Sequence, residues 1–290
     1  MFKAFFFIVT SFLFFNLSLA QSRSFQNEIK FASHLIDNYE YKDASLVLKN
    51  ISKNNTLNSA QFDSVNYFIG WIFYNQKTLD SSSFYLNMVS SHSSYFYKSK
   101  FYEAFNSAYL GKYSNAILLL DSIKTDSFTD YEKLKNFEKA AFSLLQHDYK
   151  SFEKLSNQFT GSYFPIANEE KALTNYYTKI KEHNPKSPLL AGVMSAIVPG
   201  SGKFYTGHRG QGATALVTVV SLAAIAAESY YRAGPKSIQF ISFGAIFSIF
   251  YAGNIWGSIN SVKKRNATFY KELERNVLLD MHIPLRRVFN

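Results

Sequence analysis

The stretch AYLGKYSNAILLLDSI, residues Ala108 to Ile123, sets the register of a repeating pattern in this chain. It contains a glycine at Gly111, an aromatic residue at Tyr113, a small residue at Ala116 and an apolar residue at its end. The same frame recurs on both sides of the stretch, at spacings of 38, 34 and 36 residues. Such spacings are typical of helix–turn–helix units that stack on one another. The pattern therefore predicts an all-α fold, with helical hairpins in the first part of the chain.

Four positions of this pattern, called columns below, recur at fixed offsets in each unit. The large residue that corresponds to Tyr113 recurs in each unit: Tyr41, Leu79, Tyr113 and Tyr149. Nine residues earlier, each unit has a small residue: Ala32, Gly70, Ala104 and Ala140. Three residues after the large residue, the first three units again have a small residue and the fourth has Phe152: Ala44, Ser82, Ala116 and Phe152. Ten residues after it the side chain is apolar: Ile51, Val89, Ile123 and Phe159. Small residues let paired helices approach closely and large residues fill the space beside them, so these columns are predicted to pack the repeats.

The pattern resembles the tetratricopeptide repeat, a helix–turn–helix unit of about 34 residues that stacks into a right-handed solenoid. The resemblance covers four units, roughly Phe25 to Phe159. The proline expected near the end of each unit is absent, and the spacings of 38 and 36 require longer turns. A solenoid of this kind implies either a surface that binds a peptide or protein segment, or a spacer without a ligand. The large number of Tyr and Phe residues favours binding.

The segment NEEKALTNYYTKIKEH, residues 168–183, is predicted to form one more amphipathic helix at the end of the repeats. Glu169 and Glu170 fall in its first turn, where negative charge suits the helix dipole. Its apolar residues recur at helical spacing: Leu173, Tyr176, Tyr177 and Ile180. A helix like this commonly closes the exposed end of a solenoid, so the repeat domain is expected to span residues 21–183.

A change in composition follows at Asn184, where NPKSP places two prolines in five residues and marks a domain boundary. A membrane domain is expected over residues 184–260. It has three apolar segments: Leu189–Val198, Ala213–Ala227 and Ser237–Ile259. Their lengths favour two membrane crossings plus a membrane-inserted half-helix, because a crossing needs about 20 helical residues. The distribution of Lys and Arg between the loops favours three crossings instead.

The glycine-rich stretch IVPGSGKFYTGHRGQG, Ile197 to Gly212, is not a nucleotide-binding loop. A phosphate loop needs glycine five residues before Gly202 and a hydroxyl residue after Lys203, but those positions hold isoleucine and phenylalanine. A dinucleotide-binding fingerprint needs glycine where Tyr205 stands. The surrounding apolar segments also lack the strand–helix alternation that such a site requires.

The same stretch resembles the two-transmembrane-helix domain family and, more closely, bacterial membrane domains of unknown function that follow exported repeat regions. The resemblance rests on a PGxGxxYxG signature and the glycine that follows it before the long apolar segment: Pro199, Gly200, Gly202, Tyr205, Gly207 and Gly212. These families imply no enzymatic activity. Glycine permits positive φ and close helix approach, and tyrosine anchors turns at lipid headgroups, so a structural membrane turn is predicted; a ligand-binding turn is the alternative.

Residues 261–290 are expected to form a basic amphipathic helix and a tail. The run KKR at 263–265 precedes apolar residues that share one side of a helix: Phe269, Leu273, Val277 and Leu278. A basic amphipathic helix beside a membrane usually lies on the headgroups. The last residues, HIPLRRVFN from 282 to 290, are expected to be flexible.

Residue types with catalytic or ligating chemistry show no pattern that assigns an active site. The six histidines lack metal-ligand spacing, no serine lies in a nucleophile elbow, and the chain has no cysteine. We therefore predict no catalytic residues, no cofactor and no metal. Glu228, the one carboxylate in the apolar run, is expected to pair with Arg232 at the membrane interface.

The N-terminus predicts a signal peptide over residues 1–20, with an uncleaved anchor as the alternative. Lys3 precedes an apolar run from Ala4 to Phe15, and small residues at Ser18 and Ala20 precede the expected cleavage site. An exported chain with a net charge of +10 is expected to meet phospholipid or an acidic envelope partner rather than nucleic acid.

These observations together predict a non-catalytic, membrane-anchored adaptor or scaffold. We expect it in the bacterial inner membrane, with a periplasmic repeat domain that binds a protein partner and with membrane lipid around its apolar segments. The alternative function is a component of membrane-protein or lipid handling in the cell envelope.

Overall fold

The computed structural model describes residues 25–53, 57–125 and 130–289; the expected signal peptide, residues 1–20, lies outside these described residues. Every regular element within them is helical, which confirms the predicted all-α class. The described residues form two compact units. One combines residues 25–171 with residues 280–289, and the other comprises residues 172–279.

The first unit is built from four helical hairpins, each made of a longer first helix and a shorter second helix. The first helices are α1 (Phe25–Asp37), α3 (Ser59–Asn75), α5 (Phe96–Tyr109) and α7 (Asp130–Leu145). The second helices are α2 (Tyr41–Ser52), α4 (Leu79–Asn87), α6 (Tyr113–Asp121) and α8 (Tyr149–Ser156). Each second helix begins at the large residue from which the repeat was read in the sequence.

The turns inside the four hairpins share one backbone geometry. Two residues before each second helix the chain takes a positive φ, between 62° and 74°, at Tyr39, Lys77, Gly111 and His147. In each turn the next residue donates its N–H to the carbonyl five residues back, as Lys112 does to Ser107 over 2.8 Å. This is the Schellman motif, which satisfies the last carbonyls of the first helix. It ends each first helix shortly before the second helix begins.

The small columns of the repeat lie where the helices of the hairpins meet. Ala32, Gly70, Ala104 and Ala140 are buried on the first helices, and Ala44, Ser82 and Ala116 are buried on the second helices. Ser82 Oγ donates to the Gly70 carbonyl over 2.9 Å and accepts from Asn106 Nδ2 over 2.9 Å. A Cβ at Gly70 would lie 2.8 Å from the Leu86 side chain, so this position needs glycine. Phe152 is fully buried at the fourth position of the second small column.

The second unit contains two helices that are long and apolar enough to cross a membrane. The helices of the region from residue 167 onwards are α9 (Ala167–Glu182), α10 (Pro188–Ile197), α11 (Ser201–Tyr205), α12 (Arg209–Ala233) and α13 (Ile238–Phe289). The candidate spans are α12 and the apolar first part of α13, whereas α10 is a shorter apolar helix. Glu228 Oε1 lies 2.6 Å from a guanidinium nitrogen of Arg232, which confirms the predicted pair.

Helix α13 continues without interruption from the apolar segment to Phe289. The expected flexibility of residues 282–289 is therefore wrong: they are helical, and Met281, Pro284 and Leu285 are buried. Proline inside a helix removes one hydrogen bond and costs about 3 kcal/mol, so this last part of α13 depends on its tertiary contacts.

Candidate functional site

Aromatic side chains on α3 and α5 form one continuous surface of the first unit, which we call the aromatic face. Its α3 members are Tyr67, Trp71 and Tyr74, and its α5 members are Phe101, Tyr102 and Phe105. The rings are in mutual contact: the Trp71 centroid lies 5.1 Å from Tyr74 and 4.9 Å from Tyr102. Tyr67, Trp71 and Tyr74 recur at spacings of four and three residues, and Phe105 follows Phe101 by four and Tyr102 by three, so the rings lie on one side of each helix.

Residues 280–289, which we call the C-segment, pack against this aromatic face. His282 Nε2 lies 2.6 Å from the Tyr74 hydroxyl, and the His282 ring stacks on Phe105 at 5.3 Å. Phe289 stacks on Tyr131 of α7 with centroids 5.7 Å apart. The aromatic face therefore already holds one helical segment of the same chain.

Charged side chains fix the C-segment at its end. Lys98 Nζ donates to the Phe289 carbonyl over 2.8 Å. Arg287 donates to both carboxylate oxygens of Glu169, over 2.9 and 3.1 Å, and also to the Pro165 carbonyl. Glu169 is 5% exposed, whereas the Arg287 side chain is 38% exposed, so only the carboxylate of this pair is withdrawn from water.

A cavity of about 470 Å³ lies beside the C-segment on the aromatic face. Its lining includes Tyr67, Trp71 and Tyr95, together with the charged residues Asp37, Lys98 and Arg286. Lys98 Nζ lies 4.9 Å from the Trp71 ring centroid, and burial lowers the pKa of this ammonium group. Aromatic rings with a few charged groups are a common lining for peptide-binding sites, where rings supply contact area and charges fix orientation.

Two polar groups near the C-segment are buried without partners. Glu138 on α7 is 1% exposed and the Tyr102 ring is fully buried. Glu138 Oε1 and the Tyr102 hydroxyl have no hydrogen-bond partner among the described residues. Burial raises the pKa of the Glu138 carboxyl well above its usual range, because the charged form loses its hydration.

Replacing Glu138 with glutamine should stabilise the protein at pH 8. The folded-state pKa of Glu138 lies above its unfolded value near 4.5, so its contribution to stability is fully present below that value and is lost as pH rises. We expect E138Q to raise Tm by a few degrees at pH 8, since about 1 kcal/mol corresponds to roughly 2–4 °C in a protein of this size. The gain should vanish near pH 4. Thermal unfolding in detergent at both pH values measures it, with the exposed Glu40→Gln as control; a lower Tm for E138Q at pH 8 would contradict the assignment.

The predicted membrane turn of the second unit is held by polar side chains of α13. Asn254 Oδ1 accepts the Gly200 N–H over 2.9 Å, and Asn254 Nδ2 donates to the Ser195 carbonyl over 3.1 Å. Ser195 Oγ accepts the Gly202 N–H over 2.9 Å and lies 2.7 Å from Ser258 Oγ. All these side chains are at least 95% buried, so the turn satisfies its backbone groups within the protein.

Three glycines of the signature stand where a side chain has no space. Gly200 has φ of +83°, and a Cβ there would lie 2.1 Å from the Gly212 carbonyl oxygen. A Cβ at Gly202 would lie 2.2 Å from the Ala191 carbonyl oxygen, and one at Gly212 would lie 2.8 Å from Phe204. Pro199 directly precedes Gly200 in the chain. Gly202 thus lets α11 approach α10 at backbone distance, and Gly200 and Gly212 let the turn after α10 approach α12 in the same way.

The end of the turn is fixed by cationic and amide side chains. Lys186 Nζ donates to the Tyr205 carbonyl and lies 4.6 Å from the Tyr205 ring centroid. Arg265 donates to the Thr206 carbonyl over 2.7 Å, while Gly207 beside it takes φ of +90°. Asn266 accepts from the Lys186 N–H and donates to the Lys186 carbonyl. Tyr205 therefore belongs to a hydrogen-bonded corner.

Two cavities of the second unit lie between the start of α12 and α13. The apolar cavity, of about 660 Å³, includes Thr214, Val219, Ile249 and Phe250 in its lining, together with Lys203. The basic cavity, of about 450 Å³, is lined by Thr206, His208, Gln211, Ser261, Lys264, Arg265 and Thr268. Gln211 lines both cavities.

Sequence reasoning found the glycines and the repeat columns but missed the residues that complete both sites. Asn254, Ser195 and Ser258 are polar residues within apolar helices, and that interruption of the apolar pattern is the signal that points to them. The aromatic face is visible in the spacing of Tyr67, Trp71 and Tyr74. Among the described residues, no group of three or more His, Asp or Glu side chains is placed to hold a metal ion.

Comparison of the chain with protein-family models, with curated proteins and with solved structures finds no match.

Proposed function

We propose that this protein is a non-catalytic adaptor, anchored in the bacterial inner membrane, whose periplasmic repeats bind a segment of a protein partner. The observation that carries the proposal is the C-segment on the aromatic face. A surface that holds one helical segment through its rings, while Lys98 and Glu169 of α9 fix the end of that segment, has the chemistry to hold another. Tyr, Trp and Arg are also the residues that contribute most to protein interfaces.

In this proposal the partner segment binds to the aromatic face in place of the C-segment. The C-segment carries a proline within its helix. Because proline weakens a helix, the C-segment is more easily displaced by a partner segment. The adjoining cavity, lined by Trp71, Tyr95 and Arg286, remains open beside the docked C-segment and offers a partner its first contact.

Membrane anchoring is supported by the exposure of the apolar side chains on α12 and α13. Only 17% and 6% of their most apolar 18-residue windows are buried, whereas the core helix of a soluble protein would be mostly buried. Val217, Ile238 and Ile249 are each at least 65% exposed. Apolar surface on this scale marks contact with lipid or with another protein.

Releasing the C-segment should increase partner binding. Arg287→Glu places a carboxylate beside the buried Glu169 and should raise recovery of a crosslinked partner from solubilised membranes about five- to tenfold. Arg275→Glu makes the same charge change on the same helix within the second unit and should leave recovery unchanged. Quantitative mass spectrometry after crosslinking of the full chain measures both.

Trp71→Ala provides the opposite arm of this experiment, because it removes the central ring of the aromatic face. Recovery of the same partner should fall at least fivefold, with Tm used to check that the variant folds. If the partner is recovered equally from the Trp71→Ala and Arg287→Glu variants, it does not bind this face and the adaptor proposal is wrong.

A second candidate function is membrane-protein or lipid handling in the cell envelope. The observation that favours it is the pair of adjoining cavities between α12 and α13. Partner recovery that depends on residues 187–279 and not on the aromatic face would favour this function.

A further inference from the structure

The apolar cavity and the basic cavity adjoin along α12 and α13. They meet at Gln211, which lines both. Along α13 the basic end is at Lys264 and the apolar end at Ile249, a separation of 15 residues or about 22 Å at 1.5 Å per residue. A ligand that occupies both cavities as one site must have a polar end and a long apolar end.

Cations without acidic neighbours define the polar end. Glu228 is the only carboxylate between residues 184 and 271, and it is paired with Arg232 near the opposite end of α12. The side chains of Lys203 and Lys264 make no hydrogen bond or ion pair within the part of the chain that the structure describes. Arg265, in contrast, is already held by the Thr206 carbonyl. The free ammonium groups therefore call for an anionic ligand group.

The other end of the site fits an acyl chain. Val219, Ile249 and Phe250 line it, and Ile249 and Phe250 are 70% and 50% exposed. Thr214 and Asn254, which also line the apolar cavity, stand nearer to the basic end along their helices than Val219 and Ile249 do. Polarity thus falls along the site in the same order as along a phospholipid molecule.

We propose that this site binds one anionic glycerophospholipid, with the phosphate beside Lys264 and an acyl chain in the apolar cavity along α12 and α13. Lys203 supplies a second cation next to the junction, where its side chain passes Gly257. Charge complementarity selects the anionic headgroup, and the apolar cavity next to the basic one selects a lipid over a soluble phosphate. The proposal is independent of the adaptor function, because the site contains no residue of the aromatic face.

The test measures association of spin-labelled phosphatidylglycerol and phosphatidylcholine with the full chain in bilayers. The unchanged protein should prefer phosphatidylglycerol. Lys264→Gln should reduce this preference about fivefold, the effect of one lysine at an anionic lipid. The neighbouring Lys263→Gln removes the same charge but does not line the cavity, so it should leave the preference unchanged.

A second variant tests the apolar part of the site. Ala215→Phe fills the apolar cavity without changing charge and should also reduce the preference for phosphatidylglycerol. The Tm of this variant in phosphatidylcholine checks that it folds. Equal losses for Lys263→Gln and Lys264→Gln would mean a diffuse basic surface and would overturn the proposal. So would an unchanged preference in Ala215→Phe, or competition by inorganic phosphate alone.

Discussion

Replacing Gly200 with alanine should abolish folding of the second unit under conditions in which the unchanged chain is folded. An alanine at φ of +83° is strained by about 1–2 kcal/mol. Its Cβ would also lie 2.1 Å from the Gly212 carbonyl oxygen, so backbone rather than a flexible side chain would have to move. Such movement breaks the bonds from Asn254 and Ser195 and leaves buried polar groups unpaired. We expect a total loss of several kcal/mol, which exceeds the effect of most single substitutions.

Thermal unfolding in detergent, followed by protease protection of residues 184–279, measures this loss. Gly210→Ala is the matched control, because nothing lies within 4 Å of a Cβ there and alanine favours helix by about 1 kcal/mol over glycine. It should leave Tm unchanged or raise it. If Gly200→Ala folds as well as Gly210→Ala but loses partner binding, the turn is a ligand site and its structural role is refuted.

Lowering the pH from 7.5 to 4.5 should release the C-segment from the aromatic face. Burial, reinforced by the nearby cations Lys77 and Arg286, lowers the pKa of His282 from 6.5 to about 4. The released segment takes up a proton below pH 6.5 and the docked segment does not, so docking weakens as pH falls from 6.5 towards 4. The two pKa values correspond to a weakening of roughly 10- to 100-fold at pH 4.5.

A nitroxide on Val288→Cys reports this release through its mobility, since the chain has no native cysteine. Mobility should rise between pH 6.5 and 4.5. His282→Gln keeps an acceptor near the Tyr74 hydroxyl but does not titrate, so its mobility should not change over this range. A pH response that survives in His282→Gln would assign the effect to another group.

The repeat register could be read from sequence because it rests on local rules. Small residues at Ala32, Gly70 and Ala104 mark close helix contacts, and the spacing of Tyr41, Leu79 and Tyr113 marks where second helices begin. The same holds for the membrane turn, where glycine and proline limit the backbone conformation directly.

The helical state of the C-segment could not be predicted from its own sequence, because a short stretch with a proline inside it does not form a stable helix alone. What orders it is contact with residues far away in sequence, as between Tyr74 and His282, which are 208 residues apart. Asn254 was missed for a related reason: its partners Ser195 and Gly200 are 59 and 54 residues away.

At the hairpin turns the four units share main-chain geometry and not residue identity. Tyr39, Lys77, Gly111 and His147 share no side-chain chemistry, yet each takes the same left-handed conformation. The hydrogen bonds that define the turn use backbone atoms alone, so the side chain at this position can change without shifting the register. Each non-glycine residue there costs about 1–2 kcal/mol. The array therefore tolerates substitutions at its turns at a cost in stability. A search for the repeats that required glycine at this position would find only the unit with Gly111.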